Sequence, residues 1–405
     1  MSVMTIFSGS FCSADAVIGD VIERSSYRKI GDNQVVERAA NLSGMPENKI
    51  RRAFSSRTSV FNEFTHEKEC SVACLRLALA EFLEAGPAVV HGFASLLIPA
   101  TISHVLRICL IADTPYRIEQ AHVIQGLPEK EALNQIHAHD ADCAAWTRTL
   151  AGTDDPWAAN LYDVVLPMNR MDVSRAGAMI QANLLKDAIR RTNDSVQAQA
   201  DFLLSAKVHV ALCRAGHDVS VTAENGSVTL TIDKQVRMLN RLEEELKSIA
   251  GPLPGVASVT IQAGQQSHPA SIYRKRNFEV PSRVLLVDDE EEFVQTLSER
   301  LQLRDMGSVV AYDGESALTL VGEDDPEVMI MDLKMPGIDG METLKQVKAT
   351  RPEIEVIVVT GHGSEDDRKR CMELGAFAYM QKPVDIDKLS AILKKAHAKI
   401  NRHPF

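Results

Sequence analysis

The chain has 405 residues, 45 % hydrophobic and 24 % charged, with 44 basic and 55 acidic side chains and a formal net charge of -11. That length provides for two to four domains, each with its own core. The acidic balance argues against non-specific nucleic-acid binding, so no nucleic-acid partner is expected. The most apolar stretch, AVVHGFASLLIPATI, is interrupted by His91 and Pro99 and is too short to span a bilayer. Seven scattered cysteines form no CxxC pair, and the N-terminus lacks a basic region and a cleavage site. A cytoplasmic protein without membrane insertion is the expectation.

In chain order, residues 4–8 (MTIFS) read as a strand entering Gly9-Ser10-Phe11-Cys12-Ser13 and a helix from Ala14 to Arg24. Strand, small-residue turn and helix N-terminus is how a phosphate cradle is built, which makes Gly9, Ser10 and Ser13 candidate nucleotide contacts. The local signal favours an ordinary turn instead: there is one glycine, no lysine, and Asp15 places negative charge where phosphate would dock. A turn at Gly31-Asp32 precedes a helix over 34–42, followed by a polar helical stretch around 51–69 and an apolar-faced helix from Ser71 to Glu84. AVVHGF and Val105–Ile111 read as strands, Asp113-Thr114-Pro115 as a turn opening a helix, and 129–148 as a polar helix. Tyr162–Met168 reads as a last strand and 172–189 as a closing helix. This alternation predicts an α/β domain with a parallel sheet.

Residues 1 to about 190 resemble the cytidylate-kinase-like branch of the P-loop nucleoside-monophosphate kinases. The resemblance is carried by TIFSGSF, GD-x-x-VVERAA, VVHGF, LRICLIADTPYRIEQ, the HDAD helix and YDVVLPMNRMDVSRAGAMI. Ser13, Ala14 and Asp15 occupy the family's glycine-rich loop. His91-Gly92-Phe93-Ala94 replaces its arginine-bearing segment, and Asp140-Ala141-Asp142-Cys143 its arginine-bearing lid helix. Cations that would spread charge over a transferring phosphoryl group are thus missing, which implies a degenerate kinase fold rather than an enzyme. Arg117 and Arg148 survive from that set of cations, with a surface or capping role as the alternative for either. Nucleotide binding there stays open, and a receiver-regulated nucleotide kinase is the alternative function.

After a polar junction at 190–195, a helix over 196–214 leads to DVSVTAENGSVTLTID, which alternates with period two around Asn225-Gly226, a strong hairpin signal. A charged helix over 236–249 and the strand in GPLPGVASVTIQ complete an αββαβ order over residues 195–264. This order and Gly255-Val256-x-x-Val259 resemble a BON domain, read here as an interaction module that leaves homodimerisation open. Residues 265–281, with the basic Arg274, Lys275 and Arg276, read as a solvated linker.

In PSRVLLVDDEEEF the apolar run Val284–Val287 ends in adjacent carboxylates, Asp288 and Asp289. Past the carboxyl end of a buried parallel strand both acids can face a ligand crevice, where a hard divalent cation relieves their repulsion. Asp332 follows VMIM, Thr360 follows VIVV, and Lys382-Pro383 follows AFAYMQ. Helical stretches between these runs make this a second doubly wound sheet, so the chain is α/β multidomain.

Residues 282–400 resemble the receiver domain of two-component response regulators, through LLVDDE, MDLKMPGIDG, VIVVTGH and YMQKP in the family's order. The resemblance implies a flavodoxin-like (βα)5 fold with Asp332 as phosphoacceptor. It implies Mg²⁺ held by Asp289, Asp332 and the backbone carbonyl of Lys334, with Asp288 supporting. Thr360 and Lys382 would contact phosphoryl oxygens, Tyr379 would change position on activation, and the Lys382-Pro383 bond would be cis. The implied partner is a sensor histidine kinase or phosphotransfer protein. With no DNA-reading motif in the chain, the output falls to the N-terminal region or to another chain.

Overall fold

The β-branched runs become strands, and the amphipathic stretches between them become the helices that cover the sheets. The computed structural model describes residues 3–25, 27–236, 239–264, 273, 275–361 and 363–402. It divides into two units, Met1–Thr58 with Glu67–Tyr273, and Ser59–His66 with Arg274–Phe405.

The first unit begins with β1 (Val3–Ser8), α1 (Ala14–Ser25), β2 (Arg28–Ile30), α2 (Asp32–Ser43) and α3 (Glu47–Arg52). A short helix, α4 (Asn62–Thr65), belongs to the second unit. The first unit resumes with α5 (Glu67–Glu84), β3 (Ala88–His91), β4 (Val105–Ile111), α6 (Thr114–Gln125), α7 (Glu129–Ala151), β5 (Val164–Pro167) and α8 (Val173–Leu184). The five strands pair in parallel in the order β2-β3-β1-β4-β5. The expected closing helix stops at Leu184, and a single 3-10 turn covers Asp187–Ile189.

Next come α9 (Asn193–Arg214), β6 (Ser220–Glu224), β7 (Ser227–Ile232), α10 (Leu239–Ala250) and β8 (Ser258–Ala263). β6 and β7 form the expected hairpin, and Asn225 and Gly226 both take the positive φ, 50° and 82°, that a two-residue turn needs. β8 adds in parallel to β7. α9 buries two faces: Phe202, Ala206, Val210 and Cys213 join the core under α5, while Leu204, Val208 and Leu212 join the core of the small sheet. A helix apolar on both sides needs a partner on both sides, so α9 ties the two sheets of this unit together.

The second unit contains β9 (Val284–Val287), α11 (Glu291–Gln302), β10 (Ser308–Ala311), α12 (Gly314–Asp324), β11 (Val328–Met331), α13 (Gly340–Thr350), β12 (Glu355–Thr360), α14 (Glu365–Glu373), β13 (Ala378–Gln381) and α15 (Ile386–Arg402). Its strands are parallel, in the order β10-β9-β11-β12-β13, the flavodoxin-like 2-1-3-4-5 arrangement. Edge strand β10 carries only SVVA, too short a run to stand out in the sequence.

Two expectations need correction. The stretch around 51–69 is not one polar helix: α3 ends at Arg52, and Ser59–His66 packs into the second unit. There Phe61 is fully buried in the core that also holds Leu285, Ala311, Ala317 and Val321, and Phe64 lies against Gly307 at the start of β10. Over residues 275–281 the expected solvated linker holds only in part: Lys275, Phe278 and Glu279 are exposed, and the others are not. Arg276 stacks over the Phe278 ring at 4.8 Å and donates to the Thr65 carbonyl at 3.3 Å, and Val280 is buried. The remainder of that predicted linker, residues 265–272 and Arg274, lies outside the described residues.

Below the β11 start, His397 Nδ1 lies 3.2 Å from Glu327, which also accepts from Arg283 Nε at 3.2 Å. Burial disfavours the imidazolium, but hydrogen bonding and charge from Glu327 raise its pKa overall, against a smaller opposing charge from Arg276. Burial likewise pushes the Glu327 carboxyl up, yet His397 and Arg283 bring it below its ordinary value. The His397 contribution to stability is full below its unfolded pKa of about 6.5 and is lost as pH rises through the raised folded pKa. The Glu327 contribution is present above its unfolded value of about 4.3 and is lost as pH falls through the depressed folded one. The urea midpoint of the second unit should therefore fall from slightly acid to alkaline pH, and His397→Gln should flatten that slope. An unchanged slope in the variant would remove the pair as its cause.

Candidate functional site

The parallel strands of the second unit deliver their polar groups to one edge. Asp288 follows β9, Asp332 follows β11, Thr360 closes β12 and Lys382 follows β13. Asp288, Asp332 and Thr360 are buried, while Asp289 is exposed. Carboxylate oxygens of Asp288, Asp289 and Asp332 all lie within 4.8 Å of one another, a grouping typical of a Mg²⁺ site and rich in the hard oxygen donors that ion prefers.

Lys382 Nζ organises the cluster. It lies 2.8 Å from Asp288 Oδ2, 3.2 Å from Asp332 Oδ2 and 2.7 Å from Glu290 Oε1. It also lies 4.3 Å from the centre of the Phe293 ring. Burial works against the ammonium, but hydrogen bonds to Asp288 and Glu290 and nearby carboxylate charge raise its pKa above the usual lysine value. Burial also raises the Asp288 carboxyl, partly offset by Lys382 and by the Glu290 N–H. The other Asp332 oxygen, Oδ1, accepts from the backbone N–H groups of Leu333 at 2.6 Å and Lys334 at 3.3 Å. Asp332 is thus aimed by its own loop and neutralised by one cation. The Lys382-Pro383 bond is cis, as the resemblance implies.

Residues missed in the sequence complete the surroundings. Glu290 is the third acid of a run in which only the first two were singled out, and at 63 % exposed it still pairs with Lys382. Gly340, at the start of α13, packs against the Asp332 backbone: an added Cβ would overlap the Asp332 carbonyl oxygen and lie 2.6 Å from Leu333 Cα. Gly340→Ala should therefore displace the Asp332 loop and destabilise the unit by about 1–3 kcal/mol. A denaturation midpoint equal to that of the parent would show that the loop gives way freely. The Tyr379 hydroxyl is buried without a hydrogen-bond partner among the described residues, close to Gly363 and the Thr360 methyl.

In the first unit the candidate loop also lies at the carboxyl end of its strand, but the chain fills it with its own groups. Arg117, one of the two surviving arginines, is buried at 6 % exposure, which rules out the surface alternative. Its guanidinium donates to the Ser10 carbonyl and hydroxyl, each at 2.9 Å, and to both Asp140 oxygens at 2.8 Å. Burial pushes the Asp140 carboxyl up, but the neighbouring His139, 4.0 Å away, and the hydrogen bonds from Arg117 hold it at about 2. Ser13 Oγ lies 2.8 Å from the Tyr116 hydroxyl, and a Cβ on Gly9 would meet the Arg117 guanidinium at 3.3 Å. Asp15 is exposed and paired with Lys29 at 3.1 Å. Arg148 is exposed and paired with Asp154.

Residues 284–394 match the family model described as the response regulator receiver domain, and residues 3–170 that of the cytidylate kinase-like family. Over 113 residues the chain is 34 % identical to sporulation initiation phosphotransferase F of Bacillus subtilis (strain 168), covering 28 % of this chain and 91 % of that protein. This chain belongs to the response-regulator receiver family. Its receiver is also 38 % identical over 120 residues to the transcriptional regulatory protein CpxR of Escherichia coli (strain K12), covering 29 % of this chain and 51 % of CpxR. The chain therefore spans about half the length of the first curated relatives it matches. A solved response regulator receiver domain protein from Clostridium thermocellum is 31 % identical, covering 29 % of this chain and 96 % of that one, with a TM-score of 0.29. The receiver is preceded by a cytidylate kinase-like domain, and a receiver implies a histidine kinase partner. Among the described residues no helix is long and apolar enough to cross a membrane.

Proposed function

We propose that this protein is a phosphorelay response regulator in which Asp332 takes a phosphoryl group from the phosphohistidine of a sensor histidine kinase or phosphotransfer protein. The observation that carries the reading is the Lys382 ammonium shared between Asp332 and Asp288, at 3.2 and 2.8 Å. In the transfer an Asp332 carboxylate oxygen forms the new bond to phosphorus, the phosphorus–nitrogen bond breaks, and the imidazole leaves with a proton. Asp288, Asp289, Asp332 and the Lys334 carbonyl would hold Mg²⁺, which when bound supplies positive charge to the transferring oxygens. Lys382 is already placed to follow those oxygens from one side.

The phosphoryl group brings additional negative charge to the strand edge. Lys382 then exchanges a carboxylate for phosphoryl oxygens, and Thr360 donates its hydroxyl to them. Movement of Thr360 opens space for Tyr379, whose buried hydroxyl has no hydrogen-bond partner among the described residues. This local charge change is the switch.

The output lies in the non-DNA-binding N-terminal region, acting as a scaffold or binding domain. Arg117 supports that reading, because its donors are spent on Ser10 and Asp140 rather than left for a phosphate. The αββαβ segment over 195–264 serves as a BON-like interaction module. Incubation with a phosphorylated histidine kinase and Mg²⁺ should give an acid-stable, base-labile acyl phosphate on the receiver. No label under conditions that charge another receiver would refute the relay.

A further inference from the structure

The first unit holds a half-open cavity of about 1270 Å³ away from the carboxyl edge of its sheet. Its walls come from the inner half of the sheet, where Thr5 on β1 stands beside Arg107 on β4, from the segment after β3, from α9 and from β6. Leu96, Ile98, Leu150 and Phe202 provide apolar lining. The Gly9–Ser13 loop contributes nothing to it.

Two cations line this cavity, and they differ. Arg107 is spent on backbone carbonyls: Nη1 donates to Val105 at 3.1 Å, and Nη2 to Pro99 at 2.6 Å and Ile102 at 3.3 Å. Arg76, on α5, is half-buried and makes no hydrogen bond or ion pair with any described residue. Several of the polar groups around the cavity are engaged elsewhere. Ser95 Oγ donates to the Gly92 carbonyl, Ser205 Oγ to the Phe202 carbonyl, and Asp201 accepts from Gln197 at 3.0 Å. Burial alone depresses the Arg76 pKa. Together burial and the Arg76 charge lower His209 to about 4, leaving that neighbour a neutral ring. A guanidinium partly withdrawn from water without an acceptor among the described residues is destabilising, and five fixed donors are suited to one planar or tetrahedral anion.

We infer that this cavity is a ligand site in which Arg76 receives the single anionic head group, carboxylate or phosphate, of a small organic molecule with an apolar body. The remaining charged lining, Asp163, Asp194, Asp201 and Glu224, is acidic. It disfavours polyanions such as nucleoside triphosphates, because added negative charge meets four carboxylates and one available cation. The apolar body has the leucine, isoleucine and phenylalanine walls to lie against.

The test uses the full chain and four probes: octanoate, octyl phosphate, uncharged octanamide and ATP. Titration calorimetry should show saturable binding of octanoate or octyl phosphate, and which one binds identifies the head group. Affinity should fall at least tenfold for octanamide and at least tenfold for either anion with Arg76→Met. Without ligand, Arg76→Met should raise the melting temperature of the first unit, since it removes an uncompensated charge. A lowered melting temperature or failure to fold would mean that the guanidinium has a structural role, and would overturn the inference. So would absence of binding by both anions, equal affinity in the variant, or ATP displacing the bound anion.

Discussion

Asp332→Asn is expected to reduce labelling by a phosphohistidine donor or a small acyl phosphate to background. Asparagine keeps the size and the hydrogen bonds that Leu333 and Lys334 donate to Oδ1, but its amide is not a nucleophile toward phosphorus. Lys382→Met should leave Asp332 able to react while slowing transfer by about 10²–10³-fold, the usual effect of losing one preorganised charge donor. Circular dichroism of both variants should match the parent, because the acceptor loop and the strand order do not depend on either charge. Full labelling of Asp332→Asn would move the acceptor to another side chain and remove the basis of the proposed relay. Full-rate transfer in Lys382→Met would leave Asp332 as acceptor but deny the ammonium its role.

Phe61→Ala should destabilise the receiver unit by about 3–5 kcal/mol, the usual range for emptying a buried phenylalanine site. Phe61 is fully buried in the core that also holds Leu285, Ala311, Ala317 and Val321, so truncation leaves a hole in that core. The surrounding backbone is regular strand and helix and has little freedom to collapse into it. Urea unfolding of the full chain, followed by a receiver-specific probe such as acyl-phosphate labelling, measures the effect. The same experiment on a chain with residues 59–66 replaced by a glycine-serine segment should give a loss at least as large. Equal midpoints for parent and Phe61→Ala would show that the segment rests on the receiver without supporting it.

The receiver site was legible because its information is local. Each functional group stands just past an apolar β-branched run, and parallel pairing brings such ends together whatever the intervening helices contain. Asp288, Asp289, Asp332, Thr360 and Lys382 could therefore be placed at one edge from strand ends alone. The hairpin at Asn225-Gly226 was legible for a similar reason, since two consecutive residues with positive φ restrict which side chains fit.

What tertiary structure decided depends on partners distant in sequence. Glu290 reads as one more surface acid until the chain brings Lys382 to it across 92 positions. Arg117 reads as a capping arginine until α7 sets Asp140 beside it and the guanidinium closes over Ser10. Phe61 lies in a polar stretch, and its burial depends on a core whose strands come more than 200 residues later. Arg76 lies within a helix that the sequence marks only as apolar-faced, and its place in the wall of a cavity exists only once α9 and β6 come up beside it. Sequence by itself determined which residues stand at the ends of strands, because that is written in short runs of side chains. Burial, charge pairing and enclosure are properties of neighbours, and folding alone supplies the neighbours.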